Sequence, residues 1–225
     1  MTARELADII GKVERQASKC SLPSMRRIAR SVERTAMRVL VIGGAASGKS
    51  AYAESVAMGL SSEHVYLATM QPFGEEGARR IERHRHLRAG KGFLTAELAR
   101  GLDTSGDAAL LGGCKDPARA VVLLECLGTL LANEMFDDNG VFEAGPGPAD
   151  RVISGVERLE RLYGGVVVVT NDVGCDLGDF SEETRAYIRE LGRANAVLAN
   201  RFDAVVEVIN GIPVTVKGSV APCEH

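Results

Sequence analysis

The sequence predicts an α/β fold built on a doubly wound, mostly parallel sheet with one antiparallel edge strand, and three observations carry that expectation. From residue 38 onward, strand and helix patterns alternate along the chain. The strand patterns are continuous valine-rich runs, as expected where helices cover both faces of a sheet. One of those runs, RVLVIGGAASGKS at 38–50, breaks into glycines and ends in Gly-Lys-Ser, the strand–loop–helix pattern of a phosphate-binding P-loop.

In chain order, strands are predicted at 38–42, 64–68, 120–126, 165–170 and 203–209, and helices at 49–59, 75–88, 150–163 and 182–201. Asn210-Gly211 has the chemistry of a hairpin turn and returns the chain into IPVTVK, the antiparallel edge strand. Segments 100–118 and 137–149 are rich in Gly, Pro and Asp and read as loops. In the last helix Ile188, Leu191, Leu198 and Phe202 form a core stripe that includes Asn195, so that amide either orders a neighbouring loop or touches ligand.

Residues 1–37 read as an N-terminal helical appendage, and 38–225 as the P-loop nucleotide-binding catalytic domain. In the appendage, Thr2 and Glu5 form a capping box ahead of Leu6, Ile9, Ile10 and Val13, and a second helix carries Met25, Ile28, Val32 and Ala36 on one face. Its charge is +4 against −7 for the remainder. It serves either to dock an acidic partner or, the preferred reading, to cover an edge of its own domain or of a neighbouring subunit.

Composition narrows the function classes. A net charge of −3 argues against a general nucleic-acid binder. Five scattered cysteines with no C-x-x-C pair suggest reduced thiols in a cytoplasm, not a disulfide framework or a zinc site. No run approaches 18 uninterrupted apolar residues, so no membrane span is expected.

Each part of the P-loop has its own physical task. Gly43, Gly44 and Gly48 let the backbone turn so that its N–H groups converge on phosphate oxygens. Lys49 is placed to reach the β and γ phosphates. Ser50 is placed to ligate Mg²⁺ where a helix presents its positive dipole end. A carboxylate at a strand end beside such a loop commonly holds the same ion. Glu125, ending an apolar run, is preferred over Asp172, which reads equally as an Asx-type turn into Gly174. The helix after the second strand carries Arg79-Arg80-Ile81-Glu82-Arg83-His84-Arg85-His86-Leu87-Arg88. Arg80, His84 and Arg88 share one face, and flanking cations keep an imidazole neutral and able to attack or to transfer a proton. The same stretch reads equally as a solvated face paired with Glu75, Glu76 and Glu82.

Taken together, the chain resembles the bifunctional adenosylcobinamide kinase/adenosylcobinamide-phosphate guanylyltransferase family of cobalamin biosynthesis. The matching pieces are VIGGAASGKSAYAE, VYLATM, RRIERHRHLR followed by TAE at 95–97, LLECLGTLLAN, VVVVTNDVG, GRANAVLANRFDAV and GIPVTVK, which occur in the family's order between residues 38 and 217. The resemblance implies a RecA-like P-loop NTPase fold, commonly a homotrimer, and two reactions at one site. In the first, ATP or GTP phosphorylates the terminal hydroxyl of adenosylcobinamide. In the second, GTP guanylylates a histidine and the GMP passes to the new phosphate, giving adenosyl-GDP-cobinamide. By the same matching, GTP is surrounded by Gly43, Gly44, Ala45, Ala46, Ser47, Gly48, Lys49 and Ser50, by Ala68, Thr69 and Met70, by Arg85, His86, Leu87 and Arg88, and by Glu97 and Glu125. Mg²⁺ falls to Ser50 and Glu125, and catalysis to Lys49 with His84 or His86.

Some positions depart from the family. Ala46 stands where an arginine is usual. Some members carry two adjacent histidines in the basic helix; the first position is Arg83 here, and His84 matches the second. CDLGDFSEET replaces an apolar-proline segment after TND, and YIRELG replaces an arginine-aspartate pair. The alternatives are a nucleotide-binding regulator or scaffold that has lost one or both activities, and a P-loop kinase of another small molecule.

Overall fold

Alternation of side chains along extended backbone decides how the valine runs are used. The computed structural model describes residues 37–71, 79, 82, 86, 90–136, 147–173 and 180–220, all within the unit Ala36–His225. Its strands are β1 (Met37–Gly43), β2 (His64–Ala68), β3 (Leu94–Glu97), β4 (Val121–Glu125), β5 (Gly165–Asn171), β6 (Ala204–Ile209) and β7 (Ile212–Lys217). The helices among the described residues are α1 (Lys49–Leu60), α2 (Asp107–Leu111), α3 (Leu127–Met135), α4 (Pro148–Leu162) and α5 (Glu182–Arg201), with a 3-10 turn at Pro117–Arg119.

The strands form one sheet in the order β3–β2–β4–β5–β1–β6–β7, parallel except for the β6–β7 hairpin. Leu40, Val122, Leu124, Val166 and Val168 pack into a core with Leu130, Leu131, Val156, Leu159, Leu191 and Leu198 of α3, α4 and α5. The residues between them, Val39, Val41, Val121, Leu123, Val167 and Val169, pack instead against Ala53, Val56 and Ala57 of α1. β1, β4 and β5 therefore each serve two cores, which is why their sequences show no polar alternation. One strand, β5, separates the P-loop strand β1 from the Glu125 strand β4. This is the RecA-like arrangement.

Most expected elements stand within two residues of their places, with three differences. Leu94–Glu97 is a strand and Leu127–Met135 a helix, both additional to the expected elements. The supposed loop 100–118 is interrupted by α2 and enters the 3-10 turn at Pro117. The appendage expected at 1–37 lies outside the described residues except for Met37, which begins β1. Of the helix expected at 75–88, the described residues Arg79, Glu82 and His86 are helical and exposed. No described helix is long and apolar enough to cross a membrane.

Candidate nucleotide site

The loop after β1 is shaped by contacts that admit little change. A Cβ on Gly43 would lie 2.6 Å from Ser47 Oγ and 2.7 Å from the Val208 carbonyl oxygen. The backbone turns left-handed at Ala46 (φ 56°) and again at Gly48 (φ 90°), and Ser47 N–H donates to Gly44 O at 3.3 Å. The hairpin turn braces the loop from outside: Gly211 N–H donates to Ser47 O at 2.8 Å, and a Cβ on Gly48 would meet Gly211 Cα at 3.3 Å.

Helix α1 opens on Gly48 with no side-chain cap and no acidic residue in its first turn. Its first N–H groups and positive dipole end are therefore available to an anion. Lys49 Nζ donates to Gly44 O at 2.9 Å, folded across the loop that a phosphate would occupy. Ser50 Oγ donates to Glu125 Oε1 at 2.7 Å, reaching past β5 to the end of β4.

Register brings the other strand ends alongside. Ala68 pairs with Glu97 on one side and Glu125 on the other, so the two carboxylate-bearing residues sit two strand spacings apart, about 9.5 Å between Cα atoms. Thr69 ties these ends together: its N–H donates to Glu125 O, its Oγ1 to the carbonyls of Glu125 and Cys126, each at 3.1 Å, and the same Oγ1 accepts from Cys126 N–H at 2.9 Å. Asn133 of α3 donates to both Thr69 O and Ala99 O at 2.9 Å. Asn133 lies in the LLECLGTLLAN run, where nothing local says that a helical amide will span two loops. Met70 is half-buried beside Thr69.

Asn195 turns out to order its neighbours. It accepts from Thr170 Oγ1 at 2.7 Å and donates to Asn171 O at 3.2 Å, holding the end of β5 where Asn171 pairs with Gly43. Asp172 continues that edge, its N–H donating to Gly43 O at 3.2 Å. Tyr187 of α5 donates to Gly128 O at 3.2 Å, and burial pushes its phenol up to about 12, with the nearby Cys126 adding to the effect. Burial also raises the Cys126 thiol, which caps α3 by accepting from Thr129 N–H. His84, Arg85, Leu87 and Arg88 lie outside the described residues; His86 is exposed on its helix.

Among the described residues, no group of three or more His, Cys, Asp or Glu side chains is assembled to hold a metal by itself. The hydroxyl–carboxylate pair of Ser50 and Glu125 suits Mg²⁺, which takes one or two protein oxygens and completes its shell with water and phosphate.

A glycine loop and lysine at the start of a helix, backed by such a pair at a nearby strand end, are the features of a P-loop NTPase-like fold, and that is the class of protein they define. Comparison with known sequences narrows it. The sequence model of the CobU family, described as "Cobinamide kinase / cobinamide phosphate guanyltransferase", matches residues 39–216, and the chain belongs to that family of transferases. It is 36% identical over 191 residues to the "Bifunctional adenosylcobalamin biosynthesis protein CobU" of Escherichia coli K12, covering 80% of this chain and 100% of that protein. The Salmonella typhimurium protein of the same name is 34% identical over 189 residues, with the same coverage. The "Bifunctional adenosylcobalamin biosynthesis protein CobP" of Pseudomonas aeruginosa is 30% identical over 182 residues, covering 81% of this chain and 98% of that protein.

Proposed function

We propose that this chain phosphorylates adenosylcobinamide with ATP or GTP, and then carries GMP from GTP through a histidine to the new phosphate, giving adenosyl-GDP-cobinamide. The observation that carries the reading is the bond between Ser50 and Glu125 beside the glycine loop, in a chain of this family. In the first step the loop amides and Lys49 hold the β and γ phosphates while the corrinoid hydroxyl attacks the γ-phosphorus. The hydroxyl proton is released and the nucleoside diphosphate departs.

In the second step a neutral imidazole nitrogen, His84 first and His86 second, attacks the α-phosphorus of GTP. The bond to the bridging oxygen breaks, pyrophosphate leaves and the ring proton is lost. Arg85 and Arg88 stabilise the charge that develops. A phosphate oxygen of adenosylcobinamide phosphate then displaces the imidazole, which regains its proton. By resemblance to the family, Ala68, Thr69, Met70, Leu87 and Glu97 are among the residues that surround GTP in this reading. Ser50 and Glu125 would hold Mg²⁺, which when bound neutralises phosphate charge. The setting is a cytoplasmic homotrimer by resemblance to the family.

The test is incubation with α-labelled GTP. The expected result is an acid-labile, base-stable protein adduct that is lost in His84→Ala. A folded protein that binds GTP and forms no adduct removes the guanylyltransferase half, and phosphate transfer from ATP to adenosylcobinamide tests the kinase half separately.

A further inference from the structure

The hydroxyl of Thr69 is buried among backbone partners, one strand away from the carboxylate that faces Ser50. Thr69 follows the last residue of β2 and is only 1% exposed. The parallel ladder pairs Ala68 with Glu125, and Thr69 N–H donates to Glu125 O at 3.1 Å as its final rung. The register of β4 with β5 ends one residue earlier, at Leu124 opposite Val168. Past Glu125 the chain turns into α3 with Cys126 as its cap, and at that corner the side chain of Thr69 takes over from the ladder. Its Oγ1 lies 3.1 Å from both Glu125 O and Cys126 O, and accepts from Cys126 N–H at 2.9 Å. A hydroxyl has one hydrogen, so the donation is shared between the two carbonyls. Asn133 of α3 donates to Thr69 O at 2.9 Å, so Thr69 is held at its amide, its hydroxyl and its carbonyl.

From this corner the bonds run without a gap to the phosphate loop. Glu125, whose backbone Thr69 holds, accepts from Ser50 Oγ at 2.7 Å through Oε1, and Ser50 is the second residue of α1, directly after Lys49. Mg²⁺ demands near-ideal octahedral geometry, so a carboxylate that shares the ion with one hydroxyl must be closely placed. Groups that orient such a carboxylate without touching the ion commonly matter almost as much as the carboxylate itself. We propose that Thr69 is a positioning residue: its hydroxyl clasps the β4–α3 corner and so sets the Glu125 carboxylate where, with Ser50, it meets a divalent cation carried by the triphosphate. Thr69 thus acts on the nucleotide through Glu125. The proposal rests on the reading of Ser50 and Glu125 as the pair that holds Mg²⁺.

The experiment measures GTP affinity by calorimetry, with Mg²⁺ and with chelator, on the full-length protein and on Thr69→Val, Thr69→Ser, Glu125→Gln and Thr69→Val/Glu125→Gln. The readout is the gain in affinity that Mg²⁺ brings, which needs no turnover. Thr69→Val keeps the shape and removes the hydroxyl; it should reduce that gain about tenfold while affinity for metal-free GTP stays within about twofold of the parent. Thr69→Ser, which restores the hydroxyl, should restore the gain. In the Glu125→Gln background the valine should cost less than about twofold more, because both changes act through one carboxylate. If Thr69→Val does not fold, Thr69→Ala, which leaves space for a water at Cys126 N–H, gives the same readout. A lowered melting temperature with the parental gain intact overturns the proposal and leaves Thr69 a purely structural residue. Losses that multiply in the double variant overturn it too, since Thr69 would then act independently of Glu125. A parent protein that binds GTP equally well with and without Mg²⁺ overturns the metal reading of Ser50 and Glu125 itself, and that arm is read before any variant.

Discussion

Gly43→Ala puts a single methyl group where the structure has no room, and its effect can be worked through. The new Cβ would stand 2.6 Å from Ser47 Oγ and 2.7 Å from Val208 O. An ordinary carbon–oxygen contact is about 3.3–3.6 Å, so the neighbours must yield by roughly 0.6–1.0 Å. Ser47 can rotate its hydroxyl away. Val208 O belongs to β6, which pairs with β1, and it cannot move without parting the strands that carry the loop. Overpacking of this kind costs about 1–3 kcal/mol. In a chain of this size that lowers the melting temperature by roughly 2–12 °C. Misaligning one or two charge-assisted amide–phosphate bonds weakens GTP binding by roughly 10- to 100-fold. Gly44→Ala is the internal control: its Cβ meets nothing within 4 Å and its φ is not left-handed. It should raise stability by about 0.4–1 kcal/mol through the unfolded chain. Calorimetric melting and GTP titration of both variants decide the matter. Equal melting temperatures and parental affinity for Gly43→Ala would refute the reasoning.

Glu125→Gln keeps the shape beside Ser50 but removes the charge; turnover should fall about 100-fold and the Mg²⁺ needed for half-activity should rise about tenfold, read by metal titration of the reaction. Asn195→Leu strips the partners from Thr170 Oγ1 and Asn171 O, which should cost about 1–3 kcal/mol in a thermal melt, with GTP affinity nearly unchanged. Tyr187 is a group whose folded pKa is raised, so the stability it contributes is present below pH 10 and is lost as pH rises toward about 12. Between pH 9 and 11 the parent should lose roughly 1 kcal/mol more stability than Tyr187→Phe, a value reduced for the partial exposure of the ring and measured by denaturant melts.

The parts of this protein that could be read from its sequence are those whose physics is local. The β1–loop–α1 unit announces itself by an apolar run, glycines and Lys49-Ser50. The hairpin at Asn210-Gly211 is written in two residues with positive φ, 50° and 84°. Glu125 ends a buried apolar run, which is a local signal, and the structure brings it to Ser50. The elements that escaped lack a local signal. β3 is four residues long with exposed Thr95 and Glu97, and only pairing with β2 makes it a strand. α3 begins only two residues after Glu125 closes β4, with no Ser, Thr, Asp or Asn ahead of it, and its cap is a cysteine sulfur, which few helices use. Asn133, and the hold of Gly211 on Ser47, join residues that lie 34 to 164 positions apart. No periodicity encodes them. The opposite happened at Asn195, where the pattern offered two readings and the partners Thr170 and Asn171 chose one.

In the proposed reaction a nucleoside triphosphate seated between Gly43 and Ser50 serves a corrinoid. The most direct measurement follows adenosylcobinamide by chromatography and mass spectrometry during incubation with the protein, GTP and Mg²⁺. The phosphorylated corrinoid should appear first and its GDP conjugate after it, with both lost in Lys49→Ala. A folded protein that takes up GTP while the corrinoid stays unchanged would contradict it.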